Sequence, residues 1–173
     1  MRGATTGDET TTNDAVLIRP LEEDDRAWAE ELITARWGGV QIVSRGRVWE
    51  APALPGFVAW RGGVRVGLAT YRVEEAECEL VTLDAVPSRH GVGTALLRAV
   101  EQAARRAGCR RLWLITTNDN LQALRFYQRR GFHLAALHVG AVEASRRLKP
   151  SIPQVGAHGI PLRDELELEL YLE

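Results

Sequence analysis

Apolar residues along this chain alternate between a period near two and a period near 3.6, and each switch marks a new element. Val16 to Arg19 is a short strand-like run closed by Pro20, and Glu22 to Arg36 then sets Trp28, Leu32 and Ala35 at helical spacing. Gly38-Gly39 breaks that helix. From there to Gly56 the pattern is irregular, and Trp49, Pro52 and Pro55 predict a packed loop or a second short helix. Phe57 to Trp60 and Val64 to Val73 flank Arg61-Gly62-Gly63, a hairpin signal because two glycines supply the positive φ of a tight turn. Glu77 to Asp84 reads as a further strand, with Glu77, Glu79, Val81 and Leu83 on one face and Cys78, Leu80, Thr82 and Asp84 on the other.

The second half is more regular. Thr94 to Ala107 carries Leu96, Leu97, Val100, Ala103 and Ala107 as a helical stripe, stopped by Gly108. Arg111 to Thr116 is a strand, Asn120 is placed to cap a helix from Leu121 to Arg130, and Gly131 ends it before the strand Phe132 to Val139. A short helix, Ala141 to Leu148, leads into a Gly/Pro-rich loop reaching Pro161. Glu165 to Leu172 alternates strictly, with Leu166, Leu168, Leu170 and Leu172 opposite Glu165, Glu167, Glu169 and Tyr171, which predicts a strand buried on its leucine side only, its acids either attracting a cationic amine or simply exposed. Strand, helix, strand, helix, strand in the second half implies an α/β layer with a mixed sheet, because crossover helices force parallel neighbours.

Composition narrows the class. A chain of 173 residues suits one core, so 15–173 is expected to form a single domain, with 141–161 inserted before the last strand and the polar residues 1–14 as a disordered arm. No apolar run approaches the roughly 18–20 residues that span a bilayer, and the first residues lack the apolar centre of a secretion signal. A net charge of −1 with interspersed signs argues against nucleic acid as main partner, and the local cluster Arg105, Arg106, Arg110 and Arg111 reads as a solvated face. Cys78 and Cys109 make neither a disulfide framework nor a metal-ligand pattern, which fits packing residues in a cytoplasmic protein. His90, His133, His138 and His158 show no paired metal spacing, so no metal is expected.

The candidate chemistry begins at Ser88-Arg89-His90-Gly91-Val92-Gly93-Thr94, between a predicted strand and a predicted helix. Free N–H groups and the positive dipole end converge where a helix starts, and glycine lets an anion approach them closely. Spacing alone leaves two readings, an anion site or a tight turn. No Gly-Lys-Ser/Thr follows, so this is not a P-loop, and Leu96 occupies the place of the third glycine of a dinucleotide fingerprint.

These residues resemble the GNAT superfamily of N-acetyltransferases, whose pattern Gln/Arg-x-x-Gly-x-Gly/Ala opens a helix, with Ser88 as the one departure. Asn120-Leu121-Gln122-Ala123-Leu124-Arg125-Phe126-Tyr127-Gln128-Arg129-Arg130-Gly131-Phe132 resembles a second block of that family, Asn-x-x-Ala-x-x-x-Tyr-x-x-x-Gly-Phe. The resemblance covers about Val16 to Val139 and implies a mixed, mostly antiparallel sheet with a central, splayed parallel pair flanked by helices. It implies acetyl-CoA as donor, with pyrophosphate on Ser88, Arg89, His90, Gly91, Val92, Gly93 and Thr94. The pantetheine arm would lie along Val81 to Leu83, beside Asn120 and Ala123. Tyr127 corresponds to the tyrosine that protonates the coenzyme A sulfur. Glu79, then Glu77, are the candidate bases, with Asp84 third, and Asn118 and Asp119 either line the acceptor side or are turn residues. The expected acceptor is a primary amine of a small molecule or peptide, and a homodimer is compatible with this reading. A non-catalytic acyl-CoA-binding module of the same fold is the alternative.

Overall fold

The computed structural model describes residues 15–86 and 91–173. In chain order the elements are β1 (Leu17–Pro20), α1 (Arg26–Trp37), β2 (Gln41–Ser44), β3 (Arg47–Glu50), β4 (Gly56–Arg61), β5 (Val64–Glu74), β6 (Glu77–Ala85), α2 (Val92–Arg106), β7 (Arg111–Thr117), α3 (Leu121–Gln128), β8 (His133–His138), α4 (Ala141–Leu148) and β9 (Glu165–Tyr171). Seven strands form one sheet in the order β1-β4-β5-β6-β7-β9-β8, antiparallel except for β6 and β7. The mixed, mostly antiparallel sheet with one central parallel pair is therefore as expected from the sequence. Its cause is local: α2 carries the chain back between β6 and β7, and such a return makes the two strands parallel. No helix among the described residues is long and apolar enough to cross a membrane.

Two layers cover the sheet. On one face α2 buries Leu96, Leu97, Val100 and Ala104 against Ala59, Ala69, Leu80, Leu112 and Leu168. Gly67 lets α2 come close, since a Cβ there would stand 2.7 Å from Val92 and 2.9 Å from Leu96. On the other face Ala29 and Ile33 of α1 pack with Leu21, Ile42, Val58, Leu68 and Val81. Asp25 ties the start of α1 to the sheet edge. Its carboxylate is fully buried and accepts from Arg19 at 2.8 and 3.0 Å and from Arg65 at 2.9 Å. Burial alone would raise its pKa, but the Glu22 amide and both arginines outweigh this and hold it below the usual carboxylate range.

Three expectations change. The irregular stretch after Gly39 contains a β-hairpin, β2 with β3, followed by a single 3-10 turn at Ala51–Ala53. Its turn needs positive φ at two positions, and one of them is Arg45 at 49°, beside Gly46 at 71°, so only half of the usual signal was visible. In β6 an extra residue, Val81, sits between the pairs Thr70↔Thr82 and Tyr71↔Leu80. This bulge breaks the alternation: Thr82 and Asp84 join the face of Glu79, while Leu83 turns to the α2 side and packs there. Finally, β9 is buried on both faces over its first half, with Glu165 and Glu167 only 4% and 5% exposed.

Replacing Asp25 with Ala leaves two half-buried guanidinium groups without their anion. We expect the unfolding free energy at pH 7 to fall by about 2 kcal/mol, a figure discounted for their partial exposure. Because the folded pKa is depressed, the wild-type advantage is complete above the ordinary carboxylate value and disappears as pH drops through the folded one. Urea denaturation across that range, followed by tryptophan fluorescence, measures both.

Candidate active site

The parallel pair is short. β6 and β7 are in register only at Glu77↔Arg111, Cys78↔Leu112 and Glu79↔Trp113, after which they part. From Leu80 onward the β7-facing edge of β6 therefore keeps backbone N–H and C=O groups without a ladder partner, a template for any amide-bearing chain. A cavity of about 380 Å³ opens at the divergence, lined by Glu79, Leu80 and Val81 from β6 and by Ile115, Thr116 and Thr117 from β7.

The start of α2 supplies positive potential. Gly91 caps the helix in the left-handed region at φ +79°, and the first helical bond runs from the Ala95 N–H to its carbonyl at 2.9 Å. The amides of Val92, Gly93 and Thr94 thus have no acceptor within the helix. Gly93 lies under the Phe126 ring, where a Cβ would make contact at 3.4 Å. Beside it stands Arg130, which the sequence reading treated only as the end of a helix. It donates to Thr94 Oγ1 at 3.1 and 2.6 Å and to the Phe126 carbonyl at 2.7 Å, and its guanidinium centre lies 3.6 Å from the Phe126 centroid. Among the described residues no carboxylate pairs with it, and burial, then Arg129 and Arg98, lower its pKa. Ser88, Arg89 and His90 lie outside the described residues. Asn120 caps α3 by accepting from the Ala123 N–H at 3.1 Å, and it lines the cavity, whereas Ala123 packs toward the α2-side core.

The acid and base candidates divide. Tyr127 is buried among apolar side chains, with ring centroids of Phe126 and Phe132 at 5.0 and 5.4 Å. Burial first, then the Asp84 anion, raise its pKa well above the usual phenol range, so its oxygen keeps its proton at neutral pH. Asp84 accepts from Trp37 Nε1 at 2.9 Å, and its pKa is raised, mainly by burial. Glu79 borders the cavity but is engaged, accepting from Arg72 Nε and from Ser44 Oγ, both at 2.5 Å. Glu77 stands outside this cavity, half exposed and paired with Arg111 at 3.2 Å. It borders a neighbouring space of about 520 Å³ together with Arg45, Arg72 and Trp113. Burial pushes the Cys78 thiol up to about 12, which removes it as a nucleophile.

The inserted segment closes the other end of the cavity. Val142, Ser145, Lys149, Ile152 and Pro153 line the cavity opposite the parted strands. Asn118 and Asp119 hold that segment in place. Asn118 accepts from the Arg163 and Asp164 amides at 3.0 and 3.1 Å, and Asp119 accepts from the Ala157 amide at 2.7 Å. Neither is a cavity wall, and neither merely shapes its own turn. Lys149 Nζ reaches across to the carbonyls of Trp37 and Gln41 at 2.6 and 2.8 Å. Glu165, expected to face solvent, also lines the cavity.

Residues 17–132 match the model of the Acetyltransferase (GNAT) family. The uncharacterized protein YdhI of Bacillus subtilis (strain 168) is 40% identical over 152 residues, which is 87% of this chain and 95% of that protein. Among solved structures, a Bacillus subtilis acetyltransferase in complex with CoA aligns with TM-score 0.67 and 19% identity over 92% of this chain and 100% of its own. The ribosomal-protein-S18-alanine N-acetyltransferase of Escherichia coli aligns with TM-score 0.66 and 19% identity, covering 92% and 95%. At those identities the structural likeness concerns the fold.

Asp84 gives a signed test of the electrostatics. A carboxyl with a raised folded pKa costs stability once ionised, so its deficit is complete above the folded value and vanishes below the ordinary one. Asp84→Asn retains an acceptor for Trp37 and is expected to raise the melting temperature at pH 7 but not at pH 3. Calorimetric scans at the two pH values check this.

Proposed function

Because the chain belongs to the Acetyltransferase (GNAT) family, we propose that it moves the acetyl group of acetyl-CoA to a primary amine of a small molecule or peptide by direct attack. The observation that carries the reading is the parting of β6 and β7 beside the amide-rich start of α2. Acetyl-CoA supplies a thioester carbonyl and a thiolate leaving group. Its binding demands fit the residues present: an unpaired strand edge at Val81 to Leu83 for the amides of the pantetheine arm, and the free N–H groups of Val92, Gly93 and Thr94 for pyrophosphate oxygens. Arg130 adds a fixed cation there, and its lack of a carboxylate partner among the described residues is what a guanidinium reserved for phosphate requires.

Each proton has a place. Tyr127 holds its own at neutral pH and gives it to the departing sulfur. Glu79, fixed by Arg72 and Ser44, is too engaged to turn toward the amine, so it orders a water at the cleft that takes the amine's proton. Glu77 keeps Arg111 in position rather than touching the acceptor. Residues 141–161, lying over the acceptor end, select the amine, since loops vary among relatives more freely than a groove fixed by its cofactor. The ribosomal-protein-S18-alanine N-acetyltransferase, alike in fold, is named for an alanine acceptor, which supports an amine as the nucleophile here.

Calorimetric titration with acetyl-CoA, ATP and NAD tests the donor, with micromolar binding expected for acetyl-CoA alone. Arg130→Ala is expected to weaken that binding by about tenfold, or ~1.4 kcal/mol. In a thiol-release assay with an amine panel, Tyr127→Phe is expected to lower kcat by about 100-fold with the acetyl-CoA Kd kept. Unchanged turnover would identify a protein that only carries the thioester.

A further inference from the structure

The three acids of β9 point the same way at every second position, yet their surroundings differ. Glu169 receives Arg111 Nε at 2.5 Å. Glu167 receives Arg111 Nη2, His138 Nε2 at 2.9 Å and, at 3.8 Å, Arg45. Glu165, 4% exposed, receives only the Ser145 hydroxyl, at 2.7 Å. Among the described residues no cation lies within ion-pair distance of it. The groups around it are committed elsewhere: Lys149 to the Trp37 and Gln41 carbonyls, Arg36 to the Ala85 carbonyl at 3.5 Å, and Glu79 to Arg72 and Ser44. His138, its partner across β8, is taken by Glu167, and Thr117 is its neutral partner across β7.

A buried carboxylate without a counter-charge is costly, and such groups persist where a charged guest completes them. Glu165 lines the 380 Å³ cavity, whose wall is apolar at Trp37, Ile42, Val81, Ile115, Val142 and Ile152 and polar elsewhere, with Lys149 and Arg36 in its lining. We infer that Glu165 is the anchor for the acceptor, receiving the ammonium group of a compact amine whose apolar body fills the space under α4; that nitrogen attacks only after losing a proton to the water ordered by Glu79, and Glu165 then holds the neutral amine through its remaining N–H. Ser145 holds the carboxylate toward the cavity, so the inserted helix sets the anchor as well as the roof. This rests on the acetyl-transfer reading, because it names the acceptor of that same cleft.

The test uses the full chain and two probes of equal shape, phenethylammonium and 2-phenylethanol, titrated by calorimetry with and without saturating CoA. Wild type is expected to prefer the ammonium by about tenfold, a charge-assisted contact in a desolvated site. Glu165→Gln keeps the bond from Ser145 and should bring the two affinities within about twofold of each other, with CoA affinity unchanged. Should that variant fail to fold, Glu165→Asp, which withdraws the charge by one methylene, is expected to weaken the ammonium several-fold and leave the alcohol unaffected. Equal affinities in wild type, undetectable ammonium binding, or a preference that survives Glu165→Gln overturns the inference. Absent CoA binding with the ammonium preference intact instead sinks the acetyl-transfer reading alone.

Discussion

Hydrogen bonding between two neighbouring strands stops in the middle of this sheet, and the rest of the molecule is arranged around that interruption. After Glu79 and Trp113 the ladder ends. An unpaired strand edge inside a protein is expensive unless something else satisfies it, so the fold needs devices that keep the gap open. The bulge at Val81 is one, because it bends β6 and increases its twist where it leaves β7. Another is the buried hydroxyl pair Thr70 and Thr82 at 2.7 Å, which fastens β6 to β5 just past the bulge. Trp37 of α1 then holds Asp84 near the far end of β6. Together these direct β6 toward β5 and α1 and away from its parallel partner.

Charge keeps the closed end of the parting shut. Arg111 lies at the base of β7 and draws Glu77 from β6 and Glu167 and Glu169 from β9 into one cluster. Burial by itself would lower the Arg111 pKa, yet these carboxylates more than compensate, and it stays charged. Arg72 does the same on the other side. It binds Glu79 and Glu74 and stacks between Trp49 and Trp113, at 4.3 and 5.9 Å from their ring centroids. The β2–β3 hairpin is thereby held by Trp49 on Arg72 and by Ser44 on Glu79, contacts made of cation–π attraction and hydrogen bonding as well as apolar burial. Local neutralisation is thorough here, which is why the isolated carboxylate of Glu165 stands out.

Strand and helix periods exposed most of the fold. The hairpin at Gly62-Gly63, the helix after Gly91, the Asn120 cap and the strict alternation of β9 all report local backbone or burial demands, and local demands are written in neighbouring residues. The β2–β3 hairpin was not legible because its turn uses Arg45 in the left-handed region and its strands are four residues each. The Val81 bulge was not legible either, since nothing in Leu80-Val81-Thr82 distinguishes an inserted residue from a paired one. Of the site, the glycine turn and the Asn120 to Phe132 block were visible because their spacing is itself the constraint. Arg130 was hidden for a different reason, and Glu165 could not be told apart from Glu167 and Glu169. Whether an arginine has a carboxylate, or a glutamate a cation, depends on residues far away in sequence: Thr94 lies 36 positions from Arg130, and Ser145 lies 20 from Glu165.

The two ends of the cleft are consequently under different constraints. At the α2 end the free groups are main-chain amides, a strand edge and Arg130 just past α3, beside elements that also build the core, so a change there disturbs packing against Leu96, Val100 and Leu112. At the other end the wall comes from α4 and the loop to Pro161, secured by side-chain contacts from Asn118, Asp119 and Lys149. Those contacts fix the position of the loop without dictating what its inward residues are. Ser145 and Val142 face the cavity from a helix whose other buried contacts are few, so the sheet does not dictate their identities. Under the proposed acetyl transfer, a scaffold built this way exchanges its amine without rebuilding its cofactor groove, and the side chains that encode the choice are those that the sheet itself does not need.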